Sequence, residues 1–306
     1  MRRLPPKMSQ KMRKIPKMAD FLSKNGKQTR FFAFFVIFSL FLGIFDISLG
    51  KTEQNAPVGP PWEDPPPELW FPVGEEIDYE VFWGVFMVAE ATAKAEWIER
   101  DGRRLLSLNM RAKTNGLVEK IYPVKEFLET IIEPISFLPL TFEKDSHEGR
   151  RYSHELTTFD HAAGKGVWRS LSKNKEPKVF EIQPDTRDLM GLMYWIRKTP
   201  LQPNETRQYE VMTDEKLYEV IVETGKKEPV SLKNYGKVMS LKVEPKGKFN
   251  GMFVRKGRLW LWVSDDPRGT IVRAAASVPV ASIKIMLKEV RGPGDDFWTT
   301  KPVNKK

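Results

Sequence analysis

The chain has 306 residues, no cysteine, and 50 Lys plus Arg against 40 Asp plus Glu, for a net charge of +10. Residues 1–30 hold ten of the basic residues and one acid, Asp20, leaving forty basic against thirty-nine acidic residues; that near-neutral body has no field for a polyanion, so nucleic acid is excluded as a partner. Without thiols, the chain has no disulfide staples, zinc–thiolate or iron–sulfur sites, and no lipid-bearing cysteine after a leader, so an exported domain rests on its core.

After the basic stretch comes FFAFFVIFSLFLGIF, Phe31 to Phe45, an apolar run of 15 residues. A full membrane span needs about 20, so the run fits the apolar core of a signal peptide. Ser48 and Gly50 are small residues at the two positions a signal peptidase reads, and Asp46 interrupts any longer span. Residues 1–50 are therefore expected to be a signal peptide or, if uncleaved, an N-terminal membrane anchor through residues 31–45 with its basic end in the cytoplasm. Either reading makes the protein exported and periplasmic. Residues 51–70, KTEQNAPVGPPWEDPPPELW, carry six prolines. They read as an extended tether reaching roughly 60 Å at about 3.1 Å per residue, or as a mature N-terminus without fixed structure.

From Phe71 to residue 291 the dominant period is two, which predicts strands with distinct faces. Ile77, Tyr79, Val81 and Trp83 alternate with Asp78, Glu80 and Phe82. The alternation continues through VAEATAKAEWIE, breaks at Asp101-Gly102 and resumes in LLSLNMRAKT. Further strands are expected in LTFEKDSH, YSHELTTFD, GVWRSLS, RQYEVMT, LYEVIVE, KVMSLKVE, GMFVRKG, RLWLWV, TIVRAAAS and SIKIMLKEV. One segment departs. In DTRDLMGLMYWIRKTP, Leu189, Leu192, Met193 and Ile196 share one helical face, with Asp185 as the expected cap, Asp188 near the positive end and Pro200 as the stop. The expected fold is mainly β: a large curved antiparallel sheet, an open barrel or sandwich, with one covering helix near residues 186–198. Residues 292–306 form a polar C-terminal tail.

Four stretches together resemble a known family: GEEIDYEVFW (Gly74 to Trp83), Phe159-Asp160 closing a strand, the helix pattern D-x-x-x-L-x-Y-W-x-R from Asp188 to Arg197, and LWVSDDPRG. They resemble the DUF3108 family of exported bacterial proteins over about Phe71 to Val290. The resemblance implies a periplasmic or surface protein with a curved antiparallel sheet, broadly like envelope lipid or glycan carriers. It implies no activity, because the family's function is unknown.

The chain contains no G-x-S-x-G elbow, P-loop, G-x-G-x-x-G or H-E-x-x-H motif, and no cofactor is expected. Its three histidines are His147, His154 and His161. A hairpin turn at 148–151 would bring His154 near Asp145 and His147, a candidate metal set or simply polar residues flanking a turn; His161 falls at the far end of its strand. Adjacent carboxylates occur at Glu75-Glu76, Asp265-Asp266 and Asp295-Asp296, but neighbours in a strand point to opposite faces. Asp266-Pro267-Arg268-Gly269 matches a type I turn, which leaves Asp265 as the carboxylate without a structural reason. Two function classes follow. One is a non-enzymatic carrier or scaffold for an envelope lipid or polysaccharide, its concave face lined by Trp83, Trp97, Trp260 and Trp262, unless those rings are packed core. The other is an envelope hydrolase or transferase acting through Asp265 and a second carboxylate. In RLWLWV both faces are apolar, so that strand is expected to be covered on both sides, with the helix as one cover.

Export is tested by N-terminal sequencing of protein made in a bacterial host. Loss of the first ~50 residues is expected, whereas an intact N-terminus in the membrane fraction identifies the anchor.

Overall fold

The computed structural model describes residues 66–198, 200–249, 252–253, 258–278, 281–295 and 298. The leader, most of the proline-rich stretch, Asp296 and the end of the tail lie outside them. Among the described residues no helix is long and apolar enough to cross a membrane.

The chain opens with β1 (Glu76–Trp83), β2 (Phe86–Arg100) and β3 (Arg103–Thr114), then the short helix α1 (Gly116–Ile121) and β4 (Val124–Glu133). It continues through β5 (Leu138–Glu148), β6 (Arg151–Asp160), β7 (Lys165–Ser170) and β8 (Lys178–Glu181) to a second short helix, α2 (Leu189–Trp195). The remaining strands are β9 (Thr206–Thr213), β10 (Lys216–Leu232), β11 (Gly236–Phe249), β12 (Met252–Phe253), β13 (Arg258–Ser264), β14 (Ile271–Val278) and β15 (Ala281–Arg291). Fourteen strands form one antiparallel sheet in the order β8-β7-β6-β5-β4-β3-β2-β1-β15-β14-β13-β11-β10-β9, with β12 appended to β11. The fold is the expected curved antiparallel sheet.

Side chains alternate as the sequence pattern requires. Ile77, Tyr79 and Val81 on β1, Ala91, Ala93 and Ala95 on β2, and Leu106, Leu108 and Met110 on β3 are buried on the inner face. The alanines let the sheet curl tightly around α2, whose Leu189, Met190, Leu192 and Tyr194 are buried. That helix is shorter than expected, and its cap is Asp188: its carboxylate accepts the Gly191 N–H at 3.0 Å. Asp185 stands too early to reach the first turn. α2 occupies one end of the curled sheet, where Arg100/Arg103 and Ser264/Ile271 turn; α1 sits at the opposite end with the β1–β2 turn.

The sheet is not closed. The segment after β8 fills the gap: Ile182 N–H reaches the Gly164 carbonyl, and Arg187 exchanges backbone bonds with Glu210 and Met212 on the outer edge of β9. Met212 packs against Gly166, where an added Cβ would come within 2.3 Å of its sulfur. Ion pairs Lys178–Glu215 (2.8 Å) and Lys144–Asp214 (3.2 Å) tie the same two regions together. A connecting segment and charges thus protect both edges from pairing with other chains.

β13 is covered on both sides. Leu259, Leu261 and Val263 face inward towards α2, while Trp260 and Trp262 face outward. The outward cover is the far end of the β10–β11 hairpin, which bulges at 224–227 and folds over the sheet. Asn234 donates to the Lys288 carbonyl, Val290 N–H donates to the Tyr235 hydroxyl, and Val230, Leu232 and Val238 join the cluster containing Trp262.

Candidate functional site

Three of the family-like stretches meet at the α2 end. Glu75, from GEEIDY, is fully buried and accepts from both terminal nitrogens of Arg197 at 2.5 and 3.1 Å. Arg268, from the SDDPRG turn, donates to the same carboxylate at 3.2 Å and to the Gly294 carbonyl at 2.7 Å. Arg197 also donates from Nε to the Arg268 carbonyl, and its guanidinium lies over the Phe71 and Tyr194 rings. Burial works against the Arg197 charge, but the Glu75 carboxylate outweighs it and holds the guanidinium protonated. Tyr79 donates to the Ile271 carbonyl at 3.0 Å, and burial pushes its phenol well above the ordinary value. The fourth stretch acts locally, with the Asp160 carboxylate accepting the Ala163 N–H in the β6–β7 turn.

The turn at 266–269 forms as its sequence requires. Gly269 N–H bonds the Asp266 carbonyl, and the Asp266 carboxylate accepts from Arg268 N–H and from Trp298 Nε1, both at 3.0 Å. Gly269 has φ +54° and packs against Arg197, so a side chain there would strain the backbone. Asp265 is one-third exposed and pairs with Lys227 at 2.8 Å. Glu75 and Glu76 separate as strand geometry demands, Glu76 pairing outward with Arg291.

The four tryptophans do not share a face. Trp83 joins the apolar cluster at the α1 end, and Trp97 packs on the main core further along the sheet. Trp260 and Trp262 stand outside beneath Lys242, with Arg258 over Trp260, Arg273 over Trp262, and Glu228 accepting from the Trp262 indole. Asp145 and His154 are direct cross-strand partners, as a turn at 148–151 requires. His154, however, bonds Glu143 at 2.6 Å, while His147 lies 3.4 Å from Asp145. His161 bonds the Pro139 carbonyl at the α2 end. Among the described residues no group of three or more such side chains is placed to hold a metal ion.

Two cavities accompany these residues. The inner one, about 110 Å³, lies between the apolar face of α2 (Leu189, Leu192, Met193, Ile196) and the sheet, whose Val222, Val243, Leu261 and Ala274 complete an almost wholly apolar wall. The outer one is a groove of about 700 Å³ across β1 to β5. Glu76, Asp78, Glu90, Glu126 and Asp145 line it together with Arg111, Lys113, Lys125 and Lys288, so both signs of charge are present; Tyr79, Phe127 and His147 supply its rings.

A buried polar group that pattern reading misses lies on the inner face towards the α1 end. Lys144 reaches Asp214 at 3.2 Å and Glu126 at 4.0 Å, and Ser146 donates to Glu126. Burial pushes Glu126 up to about 7, with Lys144 opposing the shift. Burial also raises Asp214 against the opposing pull of Lys144. Burial raises Asp188 to about 6, against its bonds from Thr130 and Gly191.

Residues 78–288 match the family described as a protein of unknown function (DUF3108). The chain belongs to this family. No curated protein matches it. Among solved structures, this DUF3108 chain is similar to the beta-barrel-like protein of domain of unknown function DUF1849 from Brucella abortus, at 10% identity and a TM-score of 0.49, covering 71% of this chain and 97% of that one. It is also similar to a DUF1089 family protein from Pseudomonas aeruginosa, at 8% identity and a TM-score of 0.31, covering 65% and 92%.

The buried Glu75 cluster and the inward carboxylates have measurable effects on stability. Glu75→Gln leaves two buried guanidiniums without a counter-charge and should lower unfolding free energy by about 3–5 kcal/mol. In denaturant melts, adding Arg197→Met should recover part of that loss, and strict additivity would show that the pair is not coupled. The folded protein also holds protons on Glu126, Asp214 and Asp188 more tightly than the unfolded chain, whose carboxylates titrate near pH 4. Their contribution is full below that value and is lost as pH rises through about 6 to 7. Calorimetry should therefore show Tm falling by a few degrees between pH 5 and pH 8, and Glu126→Gln with Asp214→Asn should flatten the slope.

Proposed function

We propose that this DUF3108 protein is an exported, periplasmic carrier whose curled sheet takes the apolar chain of an envelope lipid beneath α2. The observation that carries this reading is the inner cavity. It lies between α2 and the inner face of the sheet, and the side chains that line it are almost wholly apolar. A purely structural core closes such space, because unfilled apolar volume costs stability. α2 reads as a cover over it, anchored at its start by Asp188 on Thr130 and just past its end by Arg197 on Glu75, with a ligand-facing stripe between.

Size sets the mode of binding. At about 110 Å³ the cavity holds roughly four water volumes at about 30 Å³ each, against about 300–1,000 Å³ for sites that enclose a drug-sized ligand. It suits the end of one slender chain. About four methylenes at ~0.8 kcal/mol each would contribute ~3 kcal/mol, weaker than millimolar affinity, so further contacts along the apolar interior are needed.

The outer groove supports a second reading. Its mixed carboxylates and cations beside Phe127 suit a hydroxylated ligand such as a glycan, which needs both donors and acceptors. Asp265 offers less to a hydrolase, since Lys227 engages it at the surface.

Mass spectrometry of natively purified protein separates these readings. Co-purified lipid is expected, and Ala274→Leu, which fills the cavity, should strip it while leaving the melt within a few degrees. A glycan unaffected by Ala274→Leu would move the site to the groove, and ligand-free wild-type protein would end the carrier reading.

A further inference from the structure

The β1–β2 turn reads Trp83-Gly84-Val85-Phe86-Met87, although hairpin turns are ordinarily built from polar residues, Gly and Pro. Gly84 takes φ +61° at the tight turn, and Val85 projects with 79% of its surface exposed. Met87 is 40% exposed beside it. α1 is brought alongside by the Asn115 N–H bond to the Val88 carbonyl, and its last residue, Ile121, is 45% exposed. Three large apolar side chains therefore crowd the α1 end of the sheet.

Beneath them lies a separate apolar cluster of Val81, Val88, Val118 and Ile283, flanked by Trp83 and Phe86. Leu259 and Ile285 pack on this cluster and also line the inner cavity. The cluster at this end thus shares two side chains with the cavity wall, and the tip residues Val85 and Met87 stand next in sequence to its Phe86 and Val88.

One like-charge pair near the tip works against stability, although Glu90 faces Lys113 from β2. Lys113 and Lys125 face each other directly across β3 and β4, a like-charge pair that destabilises a ladder. Lys120 is exposed on α1, where the acid is Glu119. Among the described residues none of these three lysines makes an ion pair. The α2 end differs. Ile135, 78% exposed, stands on a turn whose backbone N–H groups are capped by the Glu133 carboxylate, and Met239, 49% exposed, lies beside the β13–β14 turn, so the exposed apolar side chains here are scattered.

We propose that the α1 end docks on an anionic lipid surface, Val85, Met87 and Ile121 entering the acyl boundary while Lys113, Lys120 and Lys125 meet lipid phosphates. Apolar residues backed by long basic side chains suit the bilayer interface, where the lysine stems lie along apolar surface and the ammonium groups stay with the headgroups. Docking there places the end of a lipid chain against the cluster that leads to the cavity. In purpose this rests on the carrier reading; in geometry it does not.

The chain has no cysteine, so Val85→Cys in the full-length protein carries a single environment-sensitive fluorophore. Its emission should shift to the blue on addition of vesicles containing phosphatidylglycerol, with a smaller shift on pure phosphatidylcholine. A fluorophore at Ile135→Cys, at the other end, should stay in water. This local readout is independent of any membrane binding by residues 31–45. Changing Lys113, Lys120 and Lys125 to Glu in the Val85→Cys background should raise the lipid concentration needed for the shift by about tenfold or more. No shift at position 85, equal shifts at both positions, or a shift on concentrating the protein without vesicles would overturn the proposal; the last would assign the tip to a second copy of the chain. Lipid that co-purifies while the position 85 label stays in water sinks docking alone. A ligand-free protein whose tip still enters vesicles sinks carriage alone.

Discussion

Everything at the α2 end depends on one fully buried carboxylate holding two guanidiniums. Glu75 precedes the first strand, Arg197 follows the helix, and Arg268 sits in the turn between β13 and β14. These elements are far apart in sequence, yet each delivers a charge that is costly to bury alone and tolerable when paired. The arrangement acts as a register: α2 enters the curled sheet to the depth at which Arg197 meets Glu75. Aromatic rings close around it, with Trp70, Phe71, Phe137 and Trp195 in mutual contact and the Trp70 indole bonded to the Tyr194 carbonyl. A cluster of two cations and one anion remains one positive charge in excess, and the Arg268 bond to the Gly294 carbonyl takes up part of it with a backbone dipole.

The strands are largely legible in the sequence because alternation reports directly on which face is buried. β4 is not, since VKEFLETIIE places Phe127 and Leu128 side by side and mixes charge into both faces. The structure explains the mixture: Leu128 faces the core, Phe127 lines the outer groove under Arg111, and Glu126 faces inward to Ser146 and Lys144. β8, four residues long, carries too little pattern to read. The helix face is legible, but its start is displaced by one turn because Asp185 and Asp188 are both acceptable caps in sequence. Only the tertiary bond from Thr130 distinguishes Asp188.

The site is less legible than the fold, for a physical reason. Histidines and paired aspartates draw attention by residue type, whereas Glu75, Arg197 and Arg268 are ordinary charged residues until the chain folds. One signal is available. The stretches that carry the family resemblance contain all three residues, and Tyr79 as well, so the resemblance marks the cluster without showing that its parts touch. The tryptophans show the converse. Alternation places Trp260 and Trp262 on one face of a doubly covered strand, but which cover lies over them depends on the β10–β11 hairpin folding back, and its bulge at 224–227 has no pattern longer than Gly225 and two lysines.

The two ends of the sheet are built on opposite principles. At the α2 end charges are buried and paired, aromatic rings are packed, and carboxylates cap the turns after β4, β6 and β13. Towards the α1 end the interior divides into an apolar half, running from Val85 to the cavity, and a polar half, where Lys144 gathers Glu126 and Asp214. Local stability follows local contact quality, so lower local stability is expected where polar groups interrupt the interior and apolar groups are left exposed. Asp214, in left-handed conformation at φ +50° in the β9–β10 turn, sits where the two edges of the unclosed sheet approach. Deprotonation there strengthens its attraction to Lys144 while adding to the negative charge it shares with Glu126 and Glu155. The seam thus lies at the end opposite the buried cluster, so a fold locked at one end can yield at the other without losing its register.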